Sequence, residues 1–385
     1  INLAPRNFLI ESQTLQVMPS VWELFNQTME TANSFDSGQT SLYSIQKNKF
    51  NNFFFNDAQF ISLPGFGLSQ GFIEFTENHI QLLNSSSNIN IKELVTTEQV
   101  DVILVTNNTF RQLTQNLVMF SFMKNTKARL LKINSNRIFA TSIETFLDLE
   151  GVEIEKIEFN HNTVNGSSFS RNFISIKAII ASDQWTFNHN SLSHIDIISS
   201  QLILPDKSSF GFIIFSVKST TNSENLLLLN NNKFTYFSVK TPENPLNLIV
   251  AETLQPIQLE KTSFSDFRFY SFGNLLQFLN APQVSIIESN FEAILSSSKY
   301  AMIQTDSPSF RLVNTTMRYI KNTQSPTLFF LNPSTQSQVI VENNTFTSIS
   351  SFDCNHYETC LETPGIILRM KPKNLPDNQQ LPLIL

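Results

Sequence analysis

Residues 185–195 read WTFNHNSLSHI and contain the pattern that decides the fold. Apolar side chains stand five and three positions before Asn190 and two and five positions after it, with polar residues between them. Alternation with a period of two is typical of a strand with one buried face. The pattern therefore predicts two short strands that meet at a turn containing Asn190.

The same pattern recurs along the chain at intervals of 26–30 residues, apart from one interval of 42. In every repeat, the residues five and three positions before the anchor and two positions after it are apolar. The first anchor is reached by extrapolating one period back. The anchors are Ser20, Asn48, Asn78, Asn108, Asn136, Asn162, Asn190, Asn232, Thr262, Ser289, Thr315 and Asn344. One register kept over so many repeats indicates a solenoid.

A further apolar run follows the anchor in most repeats, at 60–63, 117–120, 146–149, 174–177, 275–278 and 327–331. These runs are too short for the helical spacing i, i+3, i+4 and i+7. We therefore predict an all-β, right-handed parallel β-helix of about twelve rungs and three parallel sheets, with the hand taken from the preference of parallel crossovers. Stacked anchor amides can bond from rung to rung, which predicts an internal asparagine ladder.

This ladder and rung pattern resembles the pectin-lyase-like superfamily of right-handed parallel β-helices, over residues 15–350. That superfamily includes polysaccharide lyases and hydrolases as well as adhesins and surface proteins, so the resemblance implies a fold and not one function. The Asn, Ser and Phe bias, with 36 Phe, is also similar to β-helix ectodomains of ciliate surface proteins. We expect the β-helix over 1–350 and a Cys-containing, Pro-rich cap or linker over 351–385, in which 366–370 start another rung.

Catalytic signatures of such enzymes are missing from the sequence, which has no Asn-Thr-Asp, paired Asp, Gly-His-Gly or Arg-Ile-Lys motif. His194 and Asp196 could form an acid/base pair, although chance placement is the interpretation we favour. Acidic residues that alternate along one strand are interpreted as a solvated face rather than as calcium ligands. They are Asp148, Glu150, Glu153, Glu155 and Glu158. We predict no catalytic residue and no cofactor.

His161 and His189 occupy the same position in neighbouring repeats, where they could hold zinc if a third ligand existed. The equivalent residues of the adjacent repeats, Ser135 and Asn231, supply none. We therefore interpret both histidines as exposed turn residues and predict no metal site.

Cys354 and Cys360 follow the last clear repeat. A disulfide between them is the preferred interpretation, with two reduced thiols as the alternative. N-glycosylation sequons begin at Asn26, Asn84, Asn107, Asn165, Asn314 and Asn343. Three of them, at 107, 314 and 343, directly precede an anchor, in a turn where a glycan would face solvent.

A net charge of −6 argues against a nucleic-acid partner. The sequence contains no apolar stretch of 18 residues, so it predicts no membrane-spanning helix. The 42-residue interval predicts loops at 205–209 or 218–225, where binding could occur. The expected function is a non-catalytic extracellular or cell-surface structural or adhesive glycoprotein, a coat, rod or filament subunit. We expect it to carry N-linked glycans and to associate with itself or with neighbouring chains of a surface assembly. The alternatives are a polysaccharide-active lyase or hydrolase and a carbohydrate- or protein-binding module.

Overall fold

A computed structural model describes most of the repeats. The described residues are 7–11, 14–16, 41–51, 71–81, 99–113, 118–122, 127–181, 183–198, 211–220, 226–240, 246–270, 273–296, 300–322, 327–331, 338–353, 361–363, 366–370 and 381–383. The chain divides into two compact units, residues 1–186 and residues 187–385. Each unit is described by itself.

Strands account for the regular structure of the first unit. They are β1 (Asn7–Glu11), β2 (Thr14–Gln16), β3 (Ser41–Gln46), β4 (Lys49–Asn51), β5 (Gly71–Thr76), β6 (His79–Gln81), β7 (Gln99–Thr106), β8 (Thr109–Arg111), β9 (Val118–Phe122), β10 (Lys127–Asn134), β11 (Arg137–Phe139), β12 (Ser142–Asn160) and β13 (Thr163–Ala181). The next strand, β14 (Trp185–Asn188), covers the boundary between the units.

The second unit is built in the same way. Its strands are β15 (Ser191–Ile198), β16 (Gly211–Thr220), β17 (Leu227–Asn230), β18 (Lys233–Lys240), β19 (Asn247–Glu252), β20 (Ile257–Glu260), β21 (Ser263–Tyr270), β22 (Leu276–Leu279), β23 (Val284–Ile287), β24 (Asn290–Ser296), β25 (Ile303–Thr305), β26 (Ser309–Val313), β27 (Thr316–Asn322), β28 (Thr327–Leu331), β29 (Gln338–Glu342), β30 (Thr345–Asp353), β31 (Leu361–Thr363), β32 (Ile366–Met370) and β33 (Leu381–Leu383).

Parallel pairing joins equivalent strands of successive rungs into three sheets in each unit. The first sheet precedes the anchor and contains β3, β5, β7 and β10 in one unit and β17, β20, β23 and β26 in the other. The second sheet follows the anchor, as in β18, β21, β24 and β27. The third sheet contains β9, β12 and β13 in one unit and β16, β19, β22, β25 and β28 in the other.

The described chain is therefore an all-β parallel solenoid, as the repeat predicts. Complete turns number about seven among the described residues, fewer than the predicted twelve. Residues 60–63, predicted as a third strand, lie outside the described part, as does the candidate loop at 205–209. Within the other candidate loop, 218–220 form the end of β16 and 221–225 are not described.

The first anchor was placed in the wrong register. In the structure Phe8 pairs with Tyr43, and Leu15 pairs with Phe50, which follows the anchor Asn48. Leu15 therefore lies after the first turn rather than before it, because the first rung is longer than the period used for extrapolation. Ser20 itself lies outside the described residues, and the observed register no longer supports its assignment as an anchor.

The last rung also differs from the prediction. Ile366–Met370 pairs in parallel with β28 of the third sheet, so it completes a rung instead of starting another. Antiparallel partners then appear, with β31 pairing to β30 and β33 to β32. The predicted domain boundary at residue 350 remains a prediction.

Apolar side chains between the sheets form the core of each unit. Phe146 of the first unit meets Phe110 and Phe120 edge to face, with ring centroids 5.9 Å and 5.4 Å apart. In the second unit, Phe264 lies in a parallel stack between two phenylalanines of neighbouring rungs, with centroids 5.0 Å from Phe234 and 4.9 Å from Phe291. Both arrangements are favoured for aromatic pairs, and stacking along the column fixes the alignment of the rungs.

Two corners of each rung require a residue with positive φ. One immediately precedes the anchor, at Lys47, Glu77, Asn107, Ser135, His161, His189, Asn231, Lys261, Glu288, Asn314 and Asn343. The other lies four positions after it, at Gln112, Ala140, Gly166, His194, Tyr236, Asp266, Ala293, Tyr319 and Ser348. We call these the turn column and the corner column. Gly166 and Gly151, both with positive φ, let the 19-residue strands β13 and β12 bend from one sheet into the next.

Candidate functional site

The anchor asparagines of the first unit form a buried ladder. Oδ1 of Asn136 accepts hydrogen bonds of 3.0 Å from both the backbone N–H and Nδ2 of Asn108. Nδ2 of Asn136 donates to the carbonyl of Val105 at 2.8 Å and to Oδ1 of Asn162 at 3.0 Å. The same links join Asn48, Asn78 and Asn108. In this way each side-chain amide forms hydrogen bonds with backbone groups that would otherwise have no partner in the turn.

Hydroxyl anchors in the second unit give a looser ladder. Nδ2 of Asn190 donates a hydrogen bond of 3.0 Å to Oδ1 of Asn232. The backbone N–H of Asn232 then reaches Oγ1 of Thr262 at 3.4 Å, and that of Thr262 reaches Oγ of Ser289 at 3.3 Å. The hydroxyl of Ser289 donates back to its own strand, to the carbonyl of Ile287.

The amide form resumes at the last anchor. The backbone N–H of Thr315 donates to Oδ1 of Asn344 at 2.8 Å. The ladder in the second unit therefore has amides at both ends and hydroxyls between them.

The outer face of the first sheet carries ion pairs between neighbouring rungs. Lys127 pairs with Glu153 at 2.8 Å, and Glu158 lies 3.3 Å from Lys132 and 2.9 Å from Lys156. Burial raises the pKa of Glu158, but the hydrogen bond from Lys156 and the charge of Lys132 outweigh it, so the pKa lies below its usual value. Two of the acids predicted to face solvent are thus engaged with lysines.

Asp148 departs from the predicted solvated face. It is half-buried on β12, opposite Ser175 of β13, and Ser175 is only 4 % exposed. Burial raises the pKa of Asp148, although the charge of Arg171 and a hydrogen bond to Ser175 act against it. Glu150 and Glu155 are exposed. Among the residues that the structure describes, no three His, Cys, Asp or Glu side chains gather as metal ligands do.

The histidines lie at backbone corners. His161 of the first unit and His189 of the second are exposed members of the turn column. His194 belongs to the corner column and stacks on Tyr236, with ring centroids 4.7 Å apart and an interplanar angle of 20°. Asp196 is exposed and pairs in register with Ser238 rather than with a second carboxylate.

This aromatic pair is the feature that sequence reasoning missed. Tyr236 is 54 % exposed, and Tyr319 of the same column is 58 % exposed. The signal was present four positions after each anchor, where Gly166, Asp266 and Ser348 mark a corner with positive φ. The two tyrosines are the largest side chains among the described members of this column.

Four of the six sequon asparagines are described. Asn107, Asn165, Asn314 and Asn343 are all exposed. Three of them belong to the turn column, where Asn is favoured because it tolerates positive φ. Turn chemistry therefore generates sequons at this position whether or not glycans are added. The other two sequon asparagines, Asn26 and Asn84, and both cysteines, Cys354 and Cys360, lie outside the described residues.

The geometry defines a class of protein, a parallel β-solenoid with an internal ladder of amide and hydroxyl side chains. Comparisons with protein families, with curated proteins and with solved structures found no match. The described part of the chain contains no helix with the length and apolar character needed to cross a bilayer.

Proposed function

We propose that this chain is a non-catalytic structural or adhesive glycoprotein of an extracellular or cell-surface assembly, a subunit of a coat, rod or filament. The observation that supports it best is where the polar groups are used. The ladder amides bond to neighbouring rungs, and the lysines of the first sheet pair with acids of the next strand. These groups serve the cohesion of the rungs.

The surroundings of His194 favour this function over a polysaccharide lyase or hydrolase. Glycosidases of the common type place two carboxylates on either side of the bond that they cleave. Here an aromatic ring covers one face of His194, and the residue in register with Asp196 is Ser238. An imidazole that stacks on an aromatic ring suits binding better than acid/base catalysis.

A surface location is supported by the exposed side chain of Asn165, the one described sequon asparagine outside the turn column. A disulfide between Cys354 and Cys360 is part of the same proposal. Kinship with pectin-lyase-like β-helices, and with ciliate-type surface proteins in particular, belongs to the same proposal. It is supported by the amide ladder and by the Asn, Ser and Phe bias of the sequence.

The test combines activity with location. Purified full-length chain is incubated with neutral polysaccharides and with polygalacturonate, and new reducing ends and unsaturated sugars are measured against heat-denatured protein. We expect no release, and we expect immunogold label on the outer surface of source cells. Sustained release that His194→Ala or Asp196→Asn abolishes would overturn the proposal, as would label confined to the cell interior.

A further inference from the structure

The tyrosines are the largest side chains among the described members of the corner column. Their φ values are 56° at position 236 and 55° at position 319, in a region that disfavours bulky side chains. Each also leaves more than half of its side chain in water. Because every described member of the column has a similar φ, the exposure of a large ring is what sets these two positions apart. Packing of the core does not account for either ring.

The rungs between the two tyrosines carry short side chains. Register pairs place Asp266 next to Tyr236 and Ala293 beyond it, followed by Tyr319. With about 4.8 Å per rung, three steps separate the tyrosines by about 14 Å. His194 covers one face of the Tyr236 ring, and the other face is directed toward the rung of Asp266. We call this gap, bounded by Tyr236, Asp266, Ala293 and Tyr319, the tyrosine notch.

Polar groups border the tyrosine notch with balanced charge. Asp266 and Arg268 are both exposed and lie on the same strand, and on the next two rungs Glu292 pairs with Arg318 at 3.8 Å. A flat apolar ring surface lies here beside hydrogen-bonding groups that carry positive and negative charge. This combination matches a sugar ring, which has an apolar C–H face and a rim of hydroxyls. We propose that the tyrosine notch binds a neutral glycan, with one sugar ring on the open face of Tyr236 and its hydroxyls bonded to Asp266 and Arg268.

A protein partner fits this surface less well. Stable protein interfaces bury about 800 Å² per partner around a continuous apolar core. Here the apolar groups nearest the notch, Tyr236, Tyr319 and Leu295, are separated by charged and small residues. Acidic and basic side chains alternate around the notch, so its charge is not complementary to an acidic or a basic protein partner.

This inference rests on the adhesive part of the proposed function and adds its ligand class. Isothermal titration calorimetry of the full-length, deglycosylated chain with cellohexaose, chitohexaose, mannohexaose and laminarihexaose tests it, with hexagalacturonate as the acidic arm. We expect one neutral oligosaccharide to bind, and Tyr236→Asn and Tyr319→Asn each to raise its Kd at least tenfold. Because Asn tolerates positive φ, neither variant should lower the Tm, whereas a structural role for the rings predicts a lower Tm.

The matched control is Tyr300→Asn, which removes a tyrosine that is 45 % exposed at another corner of the rung. It should leave the Kd unchanged. Binding of none of the neutral sugars, binding of hexagalacturonate alone, or equal loss in the control would overturn the inference. So would concentration-dependent self-association that Tyr236→Asn abolishes, which would assign the face to a second copy. A glycan-negative result with label still on the cell surface would leave the structural function intact.

Discussion

At the scale of single residues, the ladder shows what an asparagine supplies and a hydroxyl cannot. The amide of Asn136 accepts two bonds and donates two, which uses its full pair of N–H donors. Ser289 has one donor, and it is spent on the carbonyl of Ile287. A hydroxyl can therefore accept from one neighbouring rung, but it cannot link side chains in both directions.

Replacement of a ladder amide should be costly. Asn136→Ala leaves the buried backbone N–H and Nδ2 of Asn108 and the carbonyl of Val105 without the partner they have in the native chain. At roughly 1–3 kcal/mol for each unsatisfied buried group, we expect the free energy of unfolding to fall by about 3 kcal/mol in urea denaturation. Arg137→Ala, an exposed neighbour, should change it by less than about 0.5 kcal/mol. Equal effects would contradict the ladder.

Asp148 should make stability depend on pH. Burial raises the pKa of Asp148 in the folded state. At pH values between the usual Asp pKa and this raised value, the folded protein therefore holds a proton that the unfolded chain has released. Its contribution is fully present below the usual Asp pKa and is lost as pH rises through the raised folded value. Asp148→Asn should therefore stabilise the protein at pH 7 relative to the wild type and lose this advantage near pH 3.

Urea unfolding of both proteins at the two pH values measures the difference. Glu155→Gln, which changes an exposed acid on the same strand, serves as the control and should change little at either pH. A destabilised Asp148→Asn at pH 7 would mean that the ionised carboxylate is needed for its contacts.

At the scale of elements, the rung is set by its corners and by charge matching between strands. Acidic side chains on the outer face of β12 form ion pairs with lysines on β10, as Glu158 does with Lys132. The corners before and after the second sheet each hold a residue with positive φ, and the residue types found there range from Gly and Asn to Lys, Glu and Tyr. Tyr236 and Tyr319 share this conformation with the rest of their column, and the exposure of their large rings is the reason to assign them a ligand.

Glu158 offers a test of the charge matching. Its pKa is lowered in the folded state, so its stabilisation is present above the usual Glu pKa and is lost as pH falls through the folded value. Glu158→Gln should reduce the free energy of unfolding at pH 7 by about 0.5–1 kcal/mol at low salt. The reduction should shrink in 1 M NaCl, where screening is strong. A loss unaffected by salt would point to packing instead.

At the scale of the whole chain, the sequence contained the strands and their register because one buried face imposes a period of two on every strand. Ile103, Leu131 and Ile157 were predicted as equivalent, and they pair in the structure. Rung length carries no such constraint, since loops of different length fit between sheets. Extrapolation to Ser20 failed for that reason.

Contacts across rungs were harder to predict than the rungs themselves. The stacking of His194 on Tyr236 and the half-buried position of Asp148 depend on which side chains of different rungs come together. A repeat template aligns positions but does not report their side-chain orientation. The corner column could have been found from its tolerant residues, such as Gly166 and Asp266.

Hydrogen exchange at the ladder is the most direct test of the account. The backbone N–H of Asn108 and of Asn136 donates to an amide oxygen at 3.0 Å, whereas the N–H of Asn232 and of Thr262 reaches a hydroxyl at 3.4 Å and 3.3 Å. Relative to strand amides of the same rung, we expect the first pair to exchange about fivefold more slowly than the second, for a difference of about 1 kcal/mol. Exchange of Asn108 and Asn136 at the rate of an unprotected turn would contradict the ladder and the rigid solenoid built on it.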